Sequence, residues 1–356
     1  MLEYIMNRKD FDVGHFVNEL ANASKNLGIL EAKIDSYQFD SILIPMLQKK
    51  EAISSMYIEG TQTTITDVLK SEISPQPSDD KIRVEVRNHV KTLIFGADHL
   101  RTGKFTHTFM KQIHEYMMTG IIAPGLENTL GKYKLKDNQI KSSTGTVVYT
   151  PPAASETKKY MDELISFMNN SEDGLNPLIK AAMIHSQFES IHPFSDGNGR
   201  IGRVLISLYL YKAKVINFPF FYISEAINMD KAVYYRMLTD SRTNSLDEWI
   251  KYFLHKVSVQ TLKHIGYIDA LNALYNKVKK SVQESINSPK YDLIIECLFT
   301  HPVLTAPYLE DKLGVSHGQA VRYLNVLEEK HILLGDDKQR GRTFFFTELM
   351  DLARGI

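Results

Sequence analysis

The chain has few of the features that mark secreted, membrane-spanning or strongly charged proteins. It contains one cysteine in 356 residues, so no disulfide can form within it, and this favours a reducing compartment such as the cytoplasm. Lys and Arg together number 42, as do Asp and Glu, so no overall charge attracts nucleic acid or an anionic membrane. No apolar run reaches about 18 residues and no secretory signal pattern opens the sequence, so we expect neither a membrane span nor a signal peptide.

The sequence is instead dominated by helical periodicity. Apolar residues make up 43% of the chain and recur at intervals of three and four, which predicts a mainly α fold. Helices are predicted over residues 35–59, 80–100, 107–119, 156–168, 177–189 and 199–212, with a short one from residue 64, two or three more before residue 257 and a polar stretch over 262–286. Before residue 290 the one predicted β region is a hairpin within residues 131–152, with turn residues at 142–145.

Residues 192–203 read HPFSDGNGRIGR, and this stretch combines residue types that suit a polyphosphate site. The Gly-Asn-Gly turn at 197–199 precedes a predicted helix, so its backbone N–H groups and the helix dipole can attract an anion. Arg200 and Arg203 would share one face of that helix and can bind phosphate oxygens through charge-assisted hydrogen bonds. The pattern therefore predicts an anion site at the start of a helix.

Two more side chains of this stretch suit catalysis. Asp196 supplies a carboxylate that can hold Mg²⁺, an ion that commonly takes one or two carboxylates together with substrate phosphates. His192 has an ordinary pKa near neutrality, which suits a general base. The combination indicates chemistry on a phosphate group.

The stretch resembles the signature of the Fic family, His-x-Phe-x-Asp/Glu-Gly-Asn-Gly-Arg-x-x-Arg, at every fixed position. The resemblance extends to residues 185–191, to a loop at Pro124, to the hairpin before Pro151 and to residues 224–235. It implies a helical core with a small β-hairpin flap over about residues 100–258. Most members of the family transfer AMP from ATP to a Ser, Thr or Tyr hydroxyl of a protein and release pyrophosphate, so the resemblance implies this activity on another protein or on the chain itself.

The resemblance also assigns the ligands of the ATP phosphates. Backbone N–H groups of Gly197, Asn198 and Gly199, with the Asn198 side chain, would hold the α- and β-phosphates. Arg200 would bind the β-phosphate and Arg203 the γ-phosphate. Together these residues would orient the triphosphate.

The remaining implied roles concern the nucleophile, the metal and the nucleoside. His192 would take the proton of the attacking hydroxyl, and Asp196 would coordinate Mg²⁺. The hairpin at 138–149 would pair with an extended segment of the target protein. Tyr234 and Tyr235 either flank the adenine or ribose or pack as ordinary aromatic residues.

A second motif suggests control of the activity. Residues 55–60 read SMYIEG and match the Fic inhibitory pattern Ser/Thr-x-x-x-Glu-Gly/Asn through Ser55, Glu59 and Gly60. We expect Glu59 to form a bidentate pair with Arg203 and so to occupy the partner of the γ-phosphate. Alternatives within the family are removal of AMP, assisted by the same glutamate, and transfer of UMP, phosphate or phosphocholine.

Residues 290–356 have a different pattern, which predicts a winged helix-turn-helix. Eight basic residues stand against ten acidic ones from Lys290 to Arg354, a poor balance for a domain that neutralises phosphates. DNA binding, protein docking and homodimerisation are all open here, as is a DNA-binding regulator that uses the core as a nucleotide sensor. The predicted domains are a helical region at 1–100, the core at 101–258, a helical linker at 259–289 and the winged helix at 290–356.

Overall fold

A computed structural model describes residues 11–36, 40–73, 80–141, 144–219, 221–243, 246–338 and 340–355. The first helices are α1 (Val17–Asp35), α2 (Asp40–Ile58), α3 (Ile65–Ile73), α4 (Asp80–Thr102) and α5 (His107–Met118). A hairpin of β1 (Ile140–Lys141) and β2 (Val147–Tyr149) is followed by α6 (Thr157–Asn169), α7 (Pro177–Ile191), α8 (Asn198–Lys212), α9 (Ser224–Asn228), α10 (Lys231–Asp240) and α11 (Leu246–Ser285). The last elements are α12 (Tyr291–Thr300), β3 (Val303–Thr305), α13 (Ala306–Leu313), α14 (His317–Glu329), β4 (Leu334–Gly335), β5 (Thr343–Phe345) and α15 (Thr347–Arg354).

Contacts between residues divide the chain into two compact units. The first comprises the described residues of 1–32, 54–62 and 84–262, and the second those of 33–53, 63–83 and 263–356. Each unit therefore combines segments that are distant in sequence. The four consecutive domains predicted from the sequence stay a prediction.

Helices α7 and α8 pack against each other in the first unit. The signature starts at His192, directly after α7, and ends at Arg203 in α8. Helix α7 starts at Pro177 after Asn176, whose side chain accepts the N–H of Leu178 at 2.9 Å. Every residue from Leu178 to Ile191 is buried, and α8 is buried from Ile201 to Leu210. Because both helices are enclosed by other parts of this unit, the loop between them has a rigid base.

The hairpin of β1 and β2 is antiparallel and is tied to the end of α7. Val147 and Val148 of β2 are exposed, whereas the hydroxyl of Tyr149 donates to the carbonyl of Ser190 at 3.1 Å. The guanidinium of Arg242 lies over the Tyr149 ring, 3.9 Å from its centre. The hairpin therefore has one anchored end and one exposed strand.

In the second unit, α12 to β5 follow one another as helix, strand, helix, helix and two strands. The strands form an antiparallel sheet in the order β3-β5-β4. Thr305 and Ser316 cap α13 and α14, each accepting the backbone N–H three residues further on. Helix α15 contacts α3 through Arg354, which donates to the Thr66 hydroxyl at 2.9 Å.

The structure confirms the mainly α fold with its small hairpin, but several elements differ from the sequence predictions. Helices α1 and α15 and strand β3 were not predicted. Helix α11 is continuous, whereas a break near residues 257–262 was expected; no proline interrupts 246–285, so nothing forces the helix to end. The predicted turn residues Ser142 and Ser143 lie outside the described residues. Among the helices that the structure does describe, none has the length and apolar character needed to cross a membrane.

Candidate active site

His192 ends α7 in a left-handed backbone conformation, with φ of 49° and ψ of 60°. A residue other than glycine is held in this region by its surroundings. Here the side-chain amide of Asn138 donates to the carbonyls of His192 and Phe194, both at 3.1 Å. The ammonium of Lys134 donates to the carbonyl of Ile191 at 3.2 Å. The segment that leads into β1 therefore fixes the backbone at His192.

The His192 imidazole is neutral at physiological pH. Burial, followed by the positive charge of Lys134, lowers the pKa of His192 to about 4. The side chain is 23% exposed, and its Nδ1 lies 3.9 Å from the Glu189 carboxylate, too far for a hydrogen bond. A neutral and partly exposed imidazole can accept a proton from a hydroxyl bound beside it.

Asn198 and His114 hold the signature loop from within. The Asn198 side chain accepts the N–H of Phe194 at 2.9 Å and donates to the carbonyl of the same residue at 2.8 Å. One N–H of the Asn198 amide is not used in these bonds, so the predicted contact of this side chain with phosphate stays a prediction. The His114 ring stacks on Phe194 with 4.0 Å between centres, and its Nε2 donates to the Asp196 carbonyl at 3.0 Å. Burial lowers the pKa of His114 to about 4, which keeps this ring neutral.

The first turn of α8 presents backbone N–H groups beside Asp196. The helix begins at Asn198, after Gly197, whose φ of 79° is readily adopted by glycine. The first N–H groups of a helix lack partners within it, so this end of α8 can bind an anion. The Asp196 carboxylate accepts the N–H groups of Gly197 at 2.6 Å and Ala123 at 3.1 Å.

The Asp196 carboxylate could serve as a single protein ligand of a metal ion. Its side chain is 27% exposed, so one side of the carboxylate is open to a ligand. The described residues contain no group of three His, Cys, Asp or Glu arranged to hold a metal ion. Asp196 would therefore hold Mg²⁺ only together with phosphate and water ligands, which is common for this ion.

Arg203 is buried in α8, and its guanidinium donates hydrogen bonds to residues at the C-terminal end of α2. Its Nε donates to the Ser55 hydroxyl at 2.9 Å, and its Nη2 donates to the Ser55 carbonyl at 3.1 Å. The same Nη2 donates to a carboxylate oxygen of Glu59 at 2.7 Å. The expected pair of Glu59 and Arg203 is present, but it is formed by a single hydrogen bond from Nη2 and is not bidentate.

The Glu59 carboxylate lies over the first turn of α8. A Cβ added to Gly199 would lie 2.5 Å from the Glu59 Oε1 and 3.0 Å from the Arg203 Nη1, so glycine alone leaves room for this contact. Burial would raise the pKa of Glu59, but the charge and hydrogen bond of Arg203 outweigh it, and the net shift is downward. Gly60 follows with φ of 95°. An ionised carboxylate thus occupies the anion-attracting end of α8.

Arg200 is paired with a carboxylate from α4. Its Nη1 donates to the Glu85 Oε1 at 2.7 Å, and its Nη2 lies 3.5 Å from the Asp196 carboxylate. Its Nε is buried and has no hydrogen-bond partner in the described part of the chain. Both signature arginines are therefore in contact with acidic residues that precede the signature by more than 100 residues.

Two profiles of one protein family match this chain. The profile of the Fic/DOC family matches residues 104–210, and that of the Fic/DOC family N-terminal region matches residues 17–98. Together the two matches account for more than half of the chain. The chain belongs to the Fic/DOC family.

Curated Fic/DOC relatives are similar over part of their length. The Aquifex aeolicus (strain VF5) protein named "Probable protein adenylyltransferase aq_aa38" is 24% identical over 180 residues, which are 49% of this chain and 51% of that protein. "Protein adenylyltransferase Fic" of Aedes aegypti is 38% identical over 66 residues, which are 18% of this chain and 13% of that protein. The chain thus spans about half of the first relative and less of the second.

Solved structures share the Fic/DOC fold. A Fic family protein from Desulfovibrio desulfuricans G20 has a TM-score of 0.60 and 19% identity, covering 94% of this chain and 97% of that one. Residues 134–508 of Fic-1 from C. elegans give a TM-score of 0.54 at 18% identity, covering 70% of this chain and 72% of that one. At these identities the likeness shows the fold.

The two tyrosines that the Fic resemblance suggested for the nucleotide have different surroundings. Tyr234 is 1% exposed, and its hydroxyl donates to Nε2 of His185 at 2.8 Å. Burial lowers the pKa of His185 to about 3, and its Nδ1 donates to the Gly202 carbonyl at 3.0 Å. Tyr235 is 44% exposed, and its hydroxyl donates to the carbonyl of Ile58 at 3.4 Å. The structure therefore places Tyr234 in the Fic/DOC core and Tyr235 at the surface, beside the end of α2.

Sequence reasoning missed four residues that shape this Fic/DOC site. Lys134, Asn138, His114 and Glu85 belong to no motif, and each approaches the signature from a distant segment. Burial separates Lys134, His114 and Glu85 from surface polar residues, whereas Asn138 is half-buried, and burial appears only once the fold is known. The signature residues themselves lie on one loop and one helix, as predicted.

Proposed function

We propose that the chain is a protein adenylyltransferase, which transfers AMP from ATP to a Ser, Thr or Tyr hydroxyl of a protein and releases pyrophosphate. The observation that carries this proposal is the neutral His192 on the loop that leads directly into the anion-attracting start of α8 and its two arginines. Relatives named protein adenylyltransferases support the same reaction. The identity of the target, another protein or this chain, is left to experiment.

His192 acts as the general base in this proposal. Its imidazole accepts the proton of the target hydroxyl as the hydroxyl oxygen forms a bond to the α-phosphorus. The bond from that phosphorus to the bridging oxygen breaks, and pyrophosphate leaves with the electron pair. The lowered pKa of His192 supports this role, because it keeps the imidazole unprotonated before the reaction.

The start of α8 binds the triphosphate. Backbone N–H groups from Gly197 to Gly199 hold the α- and β-phosphates, while Arg200 binds the β-phosphate and Arg203 the γ-phosphate. Asp196 would hold Mg²⁺, which when bound offsets the negative charge of the phosphates. Tyr235, exposed near the end of α2, stays a candidate for the nucleoside, whereas the burial of Tyr234 favours its alternative role in packing.

Glu59 inhibits the enzyme in this proposal. Its carboxylate lies where the γ-phosphate would meet Arg203, and Gly199 permits its close approach. Ser55 holds the Arg203 guanidinium toward α2, and Gly60 ends the motif with a backbone that favours glycine. ATP could bind productively only after the Glu59 carboxylate withdraws.

Intact-mass spectrometry tests the chemistry and the inhibition together. Wild type, Glu59→Gly, Glu59→Gly/His192→Ala and the exposed control Glu172→Gly are incubated with ATP and Mg²⁺. We expect a mass gain of one AMP that is strongest in Glu59→Gly, weak in wild type and the control, and absent without His192. Equal gains in wild type and Glu59→Gly would refute the inhibition, and a gain without His192 would refute the base.

Incubation of the same variants with a lysate and labelled ATP covers a target in trans. A labelled protein that appears with Glu59→Gly and not with Glu59→Gly/His192→Ala supports adenylyl transfer. Label from another nucleotide in place of ATP would favour the alternative group transfers, and loss of AMP from a modified protein would favour the reverse reaction. No label under any of these conditions would contradict the proposed enzyme.

We propose that residues 290–356 form a winged helix that docks protein rather than DNA. Arg342, which lies between β4 and β5, donates to both carboxylate oxygens of Glu328, at 2.7 and 3.1 Å, and Lys338 lies 3.5 Å from Asp336. Charges already paired with acids contribute less to phosphate binding. Binding of duplex DNA that weakens steeply as salt rises would contradict this assignment; homodimerisation stays an alternative for the same region.

A further inference from the structure

Glu85 is a buried acidic residue that neither the signature nor the inhibitory motif includes. It lies on α4 with 3% of its side chain exposed, and its Oε1 accepts a hydrogen bond from Nη1 of Arg200 at 2.7 Å. Arg200 is itself only 11% exposed. A short ion pair between two buried groups is a fixed feature of a fold, because separating the groups would leave an unpaired buried charge.

Glu85 differs from Glu59 in how freely it can leave its arginine. Glu59 is 31% exposed and lies just beyond the end of α2, next to Gly60. Glu85 lies inside α4, where its backbone is fixed by the helix. A phosphate can therefore replace Glu59 at Arg203 while Glu85 keeps its hold on Arg200.

Helix α4 is attached to the same segment that positions Asp196. The side chain of Asn88, one turn after Glu85, donates to the carbonyls of Met117 at 3.1 Å and Thr119 at 2.7 Å. A few residues further on, the N–H of Ala123 donates to the Asp196 carboxylate at 3.1 Å. The helix that carries Glu85 and the side chain of Asp196 are thus both bonded to residues 117–123, and both acids contact Arg200.

The Arg200 guanidinium keeps donors for a ligand while it is paired with Glu85. A guanidinium has five N–H donors in a planar fork, and Glu85 uses one of them. Its Nη2 makes only a 3.5 Å contact with Asp196, so each of the two terminal nitrogens keeps an N–H that no short hydrogen bond uses. The pair therefore orients the fork without saturating it.

We propose that Glu85 is a positioning residue that holds the Arg200 guanidinium in place for the β-phosphate of the nucleotide. This inference rests on the proposed function. Glu85 and Glu59 then have opposite effects on the activity, although both are acids that contact signature arginines from N-terminal helices. Removal of Glu59 activates the enzyme, and removal of Glu85 impairs it.

The test compares nucleotides that differ in the β-phosphate. Affinities for ATP, ADP and AMP are measured by calorimetry in Glu59→Gly, Glu59→Gly/Glu85→Ala and Glu59→Gly/Glu85→Gln. We expect Glu85→Ala to weaken ATP and ADP roughly tenfold, as loss of a well-placed charge-assisted hydrogen bond does, and to leave AMP unchanged. Glu85→Gln keeps an oxygen acceptor for Arg200 and should restore most of the affinity.

Each other outcome overturns the inference. Equal weakening of all three nucleotides would indicate general damage to the fold, and tighter ATP binding in either Glu85 variant would make Glu85 a second inhibitor. Where Glu85→Ala fails to fold, as judged by its thermal melt, Glu85→Gln decides: because a neutral amide holds the guanidinium less tightly than a carboxylate, a smaller loss for ATP and ADP with AMP unchanged supports the inference, and no loss for any nucleotide overturns it. If Glu59→Gly itself neither binds ATP nor transfers AMP, the proposed function fails together with this inference, a result distinct from the loss of the Glu85 role alone.

Discussion

The buried carboxyl of Glu189 should make the stability of the first unit fall as the pH rises. Its side chain is 8% exposed, and its Oε1 has no hydrogen-bond partner among the described residues. Burial raises the pKa of Glu189 from 4.5 to about 7, with Arg203 opposing the shift and Glu59 adding to it. The folded protein therefore holds this proton at pH values where the unfolded chain has lost it.

The size of the effect follows from the two pKa values. A carboxyl whose pKa is higher in the folded state contributes its full stability below the unfolded pKa, and that contribution is lost as the pH rises through the folded pKa. With pKa values of 4.5 and about 7, the loss is about 1 kcal/mol at pH 5 and about 3 kcal/mol at pH 8. Glu189→Gln abolishes this titration, so its free energy of unfolding relative to wild type should rise by about 2 kcal/mol over that interval.

Urea unfolding followed by tryptophan fluorescence measures this difference. The chain has a single tryptophan, Trp249, which is buried in the same unit as Glu189 and donates to the Ala182 carbonyl at 2.9 Å. The exposed Glu172→Gln serves as the matched control and should follow wild type at every pH. Parallel pH dependence of wild type and Glu189→Gln would refute the argument that Glu189 is buried as a neutral acid.

Two further predictions concern the histidines beside the site. In the Glu59→Gly background, Lys134→Met should move the acid limb of the pH–rate profile of AMP transfer to higher pH. The reason is that Lys134 carries a positive charge, which disfavours the His192 imidazolium. An unmoved limb would contradict this electrostatic role of Lys134. Tyr234→Phe should lower the free energy of unfolding by about 1–3 kcal/mol, because Nε2 of His185 loses its buried donor, and it should leave ATP affinity unchanged. As a control, Tyr235→Phe at the exposed neighbour should leave stability nearly unchanged. Weaker ATP binding without a loss of stability in Tyr234→Phe would instead favour a nucleotide contact.

Helical periodicity predicted most of the fold because the helices that support the site are long and strongly patterned. The prediction of a helix over 177–189 agrees with α7 at Pro177–Ile191, where a capping residue and a proline mark the start. Helix α1 was missed although its buried residues recur at helical spacing; these are Ala23, Leu27, Leu30 and Ile34. The break expected within α11 had no physical basis beyond a polar composition, which a solvent-facing helix tolerates.

The candidate site could be predicted only where its residues are contiguous. The signature places a base, a carboxylate, an anion site and two arginines within twelve residues, so their proximity needs no knowledge of the fold. Lys134 and Glu85 reach the site through tertiary packing, and an isolated Lys or Glu in a sequence is far more often a surface residue. The geometry of the pair between Glu59 and Arg203 also depended on packing, since the same guanidinium donates to the hydroxyl and carbonyl of Ser55.

Glu85 and Glu59, the acids that contact the two signature arginines, differ in how freely they can move. This difference gives the proposed inhibition its physical basis. Glu85 is enclosed within α4 and stays with Arg200, so the fold always neutralises one of the two positive charges. Glu59 is partly exposed just beyond the end of α2, and in the proposed inhibition it neutralises the other charge only while no phosphate is bound. A γ-phosphate that replaces Glu59 leaves the charge balance at Arg203 nearly unchanged, so exchange between the inhibited and active forms does not expose an unpaired buried guanidinium. An inhibitory acid buried as deeply as Glu85 could not leave its arginine in this way. The position of Glu59, just beyond a helix end and beside Gly60, therefore suits a carboxylate that must withdraw.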